Sequence, residues 1–72
     1  MFEYLNNGHV YSFASVGFKK NYDKVFCSRQ AANEYMYKVC KKKGLHIEKI
    51  WDDKHDKTYI CDKGITFYIH RV

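Results

Sequence analysis

The chain has 72 residues, 46% hydrophobic and 18% aromatic, with a formal net charge of +5 and a pI near 9.2. A chain of this length holds one domain, buries only about 60% of its unfolded surface, and with so many aromatic residues does not belong to the disordered class. Its apolar runs fall well short of the roughly 20 residues of a membrane span, and no basic segment followed by an apolar run opens the chain as a secretory leader would.

Met1 to Leu5 is a short apolar start, followed by Asn6-Asn7-Gly8. Asn-Gly accepts positive φ at both central positions of a tight turn, so it predicts an opening hairpin with His9 to Phe18 as its second strand. Tyr11 and Phe13 alternate there against Val10, Ala14, Val16 and Phe18. Gly17 marks a place where a bulge can shift the register. Lys19 to Asp23 is polar and turn-like, and Lys24 to Cys27 leads into the next element.

Ser28 to Gly44 carries the clearest local signals. Ala32, Tyr35, Met36, Val39 and Cys40 recur at helical spacing and share one face. Ser28 is a suitable N-cap, although Ala31 stands where a capping box would place Glu or Gln. Lys41, Lys42 and Lys43 meet the negative end of the helix dipole, and Gly44 supplies a left-handed stop.

Beyond the helix, Leu45, Ile47 and Trp51 predict a half-buried strand, and Asp52 to Lys57 a charged loop. Thr58 to Cys61 is a further strand, Asp62-Lys63-Gly64 a tight turn, and Ile65 to Val72 the last strand. The expected fold is a single α+β domain over residues 1–72, in the order β-β-α-β-β-β. Four or five antiparallel strands would carry one helix on one face. Ile47, Trp51, Ile60, Phe67 and Ile69 are expected to meet the helix, with Tyr59, Tyr68 and His70 on the open face or at its edge.

Few residues point to catalysis. Asp52, Asp53, His55 and Asp56 could supply oxygen and imidazole ligands to a divalent metal. Their spacing fits neither an EF-hand nor a zinc pattern, and Lys54 and Lys57 lie among them, so a solvated hairpin loop is the preferred reading. Cys27, Cys40 and Cys61 are odd in number and lack a CxxC spacing, which favours free thiols in a reducing cytosol. Cys40 falls on the apolar side of the helix, and Cys61, beside a turn, is the better candidate for a reactive thiol. The four glycines are scattered, so no phosphate loop is present. A non-enzyme without metal or cofactor is expected.

Basic charge interleaved with tyrosine is the remaining feature. Lys19, Lys20, Tyr22 and Lys24 form one cluster. Lys38, Lys41, Lys42 and Lys43 form another on the outer side and end of the helix, and Lys54, Lys57, Tyr59, Lys63, Tyr68 and Arg71 a third. Lysines contact phosphates and exposed rings stack on bases, while tyrosine and tryptophan also anchor protein interfaces. The candidate contact residues are Lys38, Lys41, Lys42, Lys43, Lys54, Lys57, Tyr59, Tyr68 and Arg71, facing either a protein or a nucleic acid. An uncovered aromatic face also favours a homodimer.

Ser28, Arg29, Ala32, Tyr35, Met36 and Tyr37 form an S-R-x-x-A-x-x-Y-M-Y pattern. Asp52, Asp53, Lys54, His55, Lys57, Thr58, Tyr59, Cys61 and Gly64 then form D-D-K-H-x-K-T-Y-x-C-x-x-G. Together they resemble small proteins of unassigned activity carried by phages and mobile elements of Gram-positive bacteria. The resemblance covers about the last two thirds of the chain. It implies a small accessory protein that binds and modulates a host or defence protein, as anti-CRISPR inhibitors do, in the cytoplasm of the host. Many such inhibitors are acidic DNA mimics, and a charge of +5 departs from that pattern. The alternative is a basic nucleic-acid-binding module. Neither reading places the protein in a membrane.

Overall fold

The structure, a computed structural model, describes residues 10–72. Chain reversal at Gly17 and the loop after it pairs two strands, β1 (Tyr11–Val16) and β2 (Lys24–Phe26). Helix α1 (Arg29–Lys43) follows, then the meander β3 (Ile47–Asp52), β4 (Asp56–Cys61) and β5 (Thr66–Arg71). The strands form one antiparallel sheet in the order β2-β1-β5-β4-β3, with α1 on one face. The chain is therefore α+β, with the element order expected.

The helix forms for the reasons legible in its residues. Ser28 is extended (φ −146°), and its Oγ accepts the Ala31 N–H at 3.1 Å. Gly44 is left-handed (φ 67°), and the Leu45 N–H donates to the Cys40 carbonyl at 2.9 Å to close the last turn. Ala32, Met36, Val39 and Cys40 are buried and Tyr35 is half-buried, so the inner face is the expected one. It packs on Phe13, Phe67 and Ile69. Phe13 stacks on Phe67 with centroids 5.5 Å apart and takes the Tyr35 ring edge-on at 5.2 Å.

The Asn6-Asn7-Gly8 hairpin lies outside the described residues. Within them β1 pairs with β5 on one edge and with Lys24–Phe26 on the other, in the register Tyr11↔Phe26, Ser12↔Val25 and Phe13↔Lys24. Three residues are too few to show an alternation, which is why this strand looked like a lead-in to the helix. The Ser15 Oγ accepts the Tyr22 N–H at 2.6 Å and ties the intervening loop back onto β1. Gly17 does not bulge the strand but ends it. Its φ is +109°, and a Cβ there would lie 2.3 Å from the Gly64 carbonyl oxygen. This turn swings Phe18 to the core side, where it packs on Phe67.

Two expected core positions are also corrected. Tyr59 faces the helix and is fully buried, while Ile60 lies on the opposite face. Each face of β4 offers one large apolar side chain, Tyr59 or Ile60, and register decides between them. Tyr59 pairs with the buried Phe67 and Ile60 with Thr66, and directly paired residues share a face. Trp51 is 56% exposed. The β3–β4 register shifts between Ile47 and Lys49, so that Trp51 pairs with Thr58 on the open face. One extra residue, Glu48, inverts the outward alternation.

The backbone of α1 approaches β1, β2 and β5 but not β3 or β4. Long side chains bridge that gap. The Tyr59 hydroxyl donates to Asn33 Oδ1 at 2.6 Å, and Arg29 Nη2 donates to Asp52 Oδ1 at 2.7 Å. Beyond them β3 projects as an edge strand exposed along nearly its whole length.

Candidate interaction surfaces

The open face of the sheet follows from the registers. Ala14, Tyr68, Thr58 and Trp51 form one row across four strands, and Val16, Thr66, Ile60 and Lys49 a second. Val25, Ser12, His70 and Asp56 form a third. Trp51, Tyr68, Val16 and Val25 are exposed. The ionisable side chains in these rows are Lys49, His70 and Asp56. Of these, His70 Nδ1 contacts Asp56 Oδ1, and Lys49 Nζ lies 4.7 Å from the Trp51 ring centroid. The face carries two exposed aromatic rings, and Lys49 and Asp56 are of opposite sign.

The edge of β3 adds unpaired backbone to this face. The Asp53 N–H donates to the Asp56 carbonyl at 2.8 Å. Alternation along an antiparallel ladder then turns the backbone groups of Trp51 and Lys49 toward β4, and those of Ile50 and Asp52 toward the free edge. Ile50 is itself exposed. The opposite edge, β2, is only three residues long, one of the ways in which sheets blunt an edge.

A second surface lies on the helix side. Tyr22, Tyr35, Lys38, Val39 and Lys42 line a pocket of 340 Å³. Lys24 Nζ lies 4.8 Å from the Tyr35 centroid, and Lys43 Nζ 5.8 Å from that of Tyr22. Charge is divided between the two sides. Residues 10–44 hold eight Lys and Arg against Asp23 and Glu34, a net +6. Residues 45–72 hold five basic residues against five acidic ones, a net charge of zero.

The sequence-predicted contact residues do not converge. Lys38, Lys41, Lys42 and Lys43 stand on the outer side and end of α1, where Lys38 and Lys42 enter the pocket. Lys54 is at the exposed β3–β4 turn, Tyr68 is on the open face, and Arg71 Nη2 meets His55 Nε2 at 3.2 Å. Lys57 is half-buried, 3.7 Å from Asp52 Oδ2 and 5.2 Å from the Tyr59 centroid. Tyr59 is the correction among them, because a buried ring offers nothing to a ligand. Burial pushes the Tyr59 phenol above its ordinary value, with Lys57 acting against it, and interaction with Tyr59 raises the Lys57 ammonium. Sequence reasoning placed Tyr35 and Trp51 in the core, and grouped Tyr22 with Lys19, Lys20 and Lys24 without carrying it into the contact set. The division of charge between the two halves, countable in the sequence, was the signal for Tyr22 and Tyr35.

The candidate metal loop spends its carboxylates on other partners. Asp52 meets Arg29 and Lys57, Asp53 Oδ1 accepts the Lys54 N–H at 2.7 Å, and Asp56 meets His70. Among the described residues no three His, Cys, Asp or Glu side chains gather as a metal site would require. Cys61 is buried rather than poised beside its turn. Burial, followed by the neighbouring Cys40, pushes its thiol up to about 12, and burial also raises Cys40. A thiol held in that state is a poor nucleophile, which reverses the preference for Cys61. Cys27 is the exposed thiol.

Among the described residues no helix is long and apolar enough to cross a membrane. No family model, curated protein or solved structure matches the chain.

Proposed function

We propose that the protein is a non-catalytic binding module that holds a partner protein on the open face of its sheet and the adjoining β3 edge. The observation that carries this reading is the row Trp51–Thr58–Tyr68–Ala14, which lies beside an edge strand exposed along nearly its whole length. Exposed aromatics in a patch with little net charge match the centre of a protein interface. The free backbone groups of Ile50 and Asp52 allow a partner strand to extend the sheet. A polyanion finds little to grip there, since Lys49 is the lysine of that face and is itself engaged with Trp51. The host or defence proteins implied by the phage-type resemblance are the partner class we propose, and modulation by occupancy is the mode. That the candidate carboxylates are engaged and the Cys40 and Cys61 thiols buried supports a role without catalysis.

The chain carries one tryptophan, and it stands in the proposed interface. A reconstituted complex with a captured partner is expected to shift the Trp51 emission to the blue. The pair Trp51→Ser and Tyr68→Ser should abolish the complex while leaving far-UV circular dichroism unchanged. A partner that binds this double variant as well as the parent refutes the reading. A concentration-dependent dimer that is lost in the same variant would assign the surface to a second copy instead.

A further inference from the structure

The pocket on the helix side lies across the sheet from the proposed protein surface, and its chemistry is different. We propose that it holds the base of a nucleotide unit while the lysines around it take the phosphate, a chemistry displayed by a single-stranded nucleic acid or a free nucleotide. Its volume of 340 Å³ is on the scale of small-ligand sites. The Tyr22 and Tyr35 rings supply flat walls, the buried Val39 an apolar floor, and Lys38 and Lys42 the rim, with no carboxylate among the lining residues.

The tyrosines are held for this task from behind. Phe13 and Phe26 pack against Tyr35, and Phe18 packs edge-on against Tyr22 with centroids 5.1 Å apart. An ammonium stands over each ring, Lys24 on Tyr35 and Lys43 on Tyr22. Each ring is therefore reachable from outside by a cationic or electron-poor group. Lys24 and Lys43 stand beside the pocket rather than in its lining, where their flexible stems can reach the phosphate of a nucleotide whose base lies against the two rings.

Charge points to the same ligand. The half of the chain that builds the pocket holds a net +6, and of its two carboxylates Glu34 is engaged by Gln30 Nε2 at 3.3 Å. Such a field concentrates polyanions. A duplex keeps its bases inside the stack, whereas a single strand can splay one out onto an aromatic wall.

The test is fluorescence anisotropy of a labelled ten-residue oligothymidylate with the full chain. Four lysine–phosphate contacts, from Lys24, Lys38, Lys42 and Lys43, give a salt slope of about −3, so raising salt from 50 to 200 mM should weaken binding about 50-fold. An abasic decamer with the same phosphates should bind at least about fivefold more weakly, since one stacked base is missing. Lys38→Glu with Lys42→Glu should abolish binding. Lys38→Gln with Lys42→Gln serves as the second pair where the first fails to fold. Lys49→Glu with Lys54→Glu, the same charge change at the other end, should stay within about threefold of the parent, because the distant charges are screened.

Thymidine monophosphate as competitor separates the two sources of the ligand. Displacement only at far higher concentration than unlabelled oligomer assigns the polymer, and equal displacement assigns the free nucleotide. Absence of binding at 50 mM salt, equal affinity for the abasic strand, or equal loss in the Lys49/Lys54 pair overturns the proposal. Because the pocket and the sheet face are on opposite sides, Trp51→Ser with Tyr68→Ser should leave this binding intact, so either reading can fail alone.

Discussion

Tyr59 gives the sharpest separation between what the sequence suggests and what the structure requires. As a surface ring it would be dispensable for stability and costly for binding. As a fully buried ring between Phe67 and the helix it should behave the other way. Tyr59→Phe keeps the packed ring and removes the hydroxyl that donates to Asn33 Oδ1 at 2.6 Å. Asn33 is only half-buried, so water can replace the lost donor. The cost is then about 1 kcal/mol, or roughly 4–8 °C in the melting temperature of a domain this small. Tyr59→Ala removes the whole ring and leaves a cavity against Tyr37 and Phe67, which costs about 3–5 kcal/mol. A 72-residue domain has roughly 4–11 kcal/mol in all, so the alanine variant should lose about half of it and unfold at a much lower urea concentration. Urea titration followed by far-UV circular dichroism measures both, with Tyr68→Ala on the open face as the control, expected within about 0.5 kcal/mol of the parent. A Tyr59→Ala variant as stable as Tyr68→Ala would refute the inward assignment, and with it the register of β4 against β5.

Other expectations are independent of binding. Gly17→Ala should cost roughly 2–4 kcal/mol by urea titration, because a side chain at φ +109° is strained and its Cβ would lie 2.3 Å from the Gly64 carbonyl. Ser28→Ala should cost about 1 kcal/mol by the loss of the cap on the Ala31 N–H. A thiol titration of the native protein should give one fast-reacting group, Cys27, and two that react only on unfolding, Cys40 and Cys61. Stability should fall as pH rises above 9. The Cys61 thiol ionises near 9.0 when unfolded but near 12 when folded. Protons are then bound more tightly by the native state across that window, and stability present below pH 9 is lost on the order of 1 kcal/mol per pH unit. Urea midpoints from pH 8 to 10.5 measure the slope, and Cys61→Ala should reduce it, with the raised Cys40 and Tyr59 supplying the rest.

How legible the chain was depends on the reach of each signal. The helix was readable almost to the residue, because Ser28, Gly44 and the 3.6 period act within a few residues of one another. The strands Ile47–Asp52, Asp56–Cys61 and Thr66–Arg71 were readable as elements. Which face of each was inner was readable only for the last, where Phe67 and Ile69 alternate cleanly against Tyr68 and His70. In Thr58 to Cys61 each alternation carries one large apolar side chain, so the choice of Tyr59 over Ile60 waits on the partner strand. Trp51 was misplaced by a single unpaired residue at Glu48, a feature of pairing between strands that periodicity within one strand does not contain. Lys24–Phe26 was hidden for a third reason, since a three-residue strand has no period.

The same distinction accounts for the surfaces. Grouping lysines by sequence neighbourhood joined Lys54, Lys57, Tyr59, Lys63, Tyr68 and Arg71 into one cluster, yet folding sends Tyr59 inward, Tyr68 to the open face and Lys54 to a turn. Lys24, Tyr22, Tyr35, Lys38 and Lys42 belonged to separate segments and are brought together, because β2 and the loop before it pack beside the outer turns of α1. Summed charge survived this rearrangement where clusters did not. The segments β1, β2 and α1 are adjacent in both sequence and space, so their net +6 stays together. The neutral remainder forms the β4–β3 side of the sheet. Both proposed sites lie at the surface, outside the single small core of the described residues. The division of that surface into a neutral aromatic face and a basic aromatic pocket would let the two proposed ligands be held at once. Simultaneous binding without mutual exclusion is therefore the expected behaviour, and competition between a captured protein partner and the oligothymidylate would show that the two surfaces do not act separately.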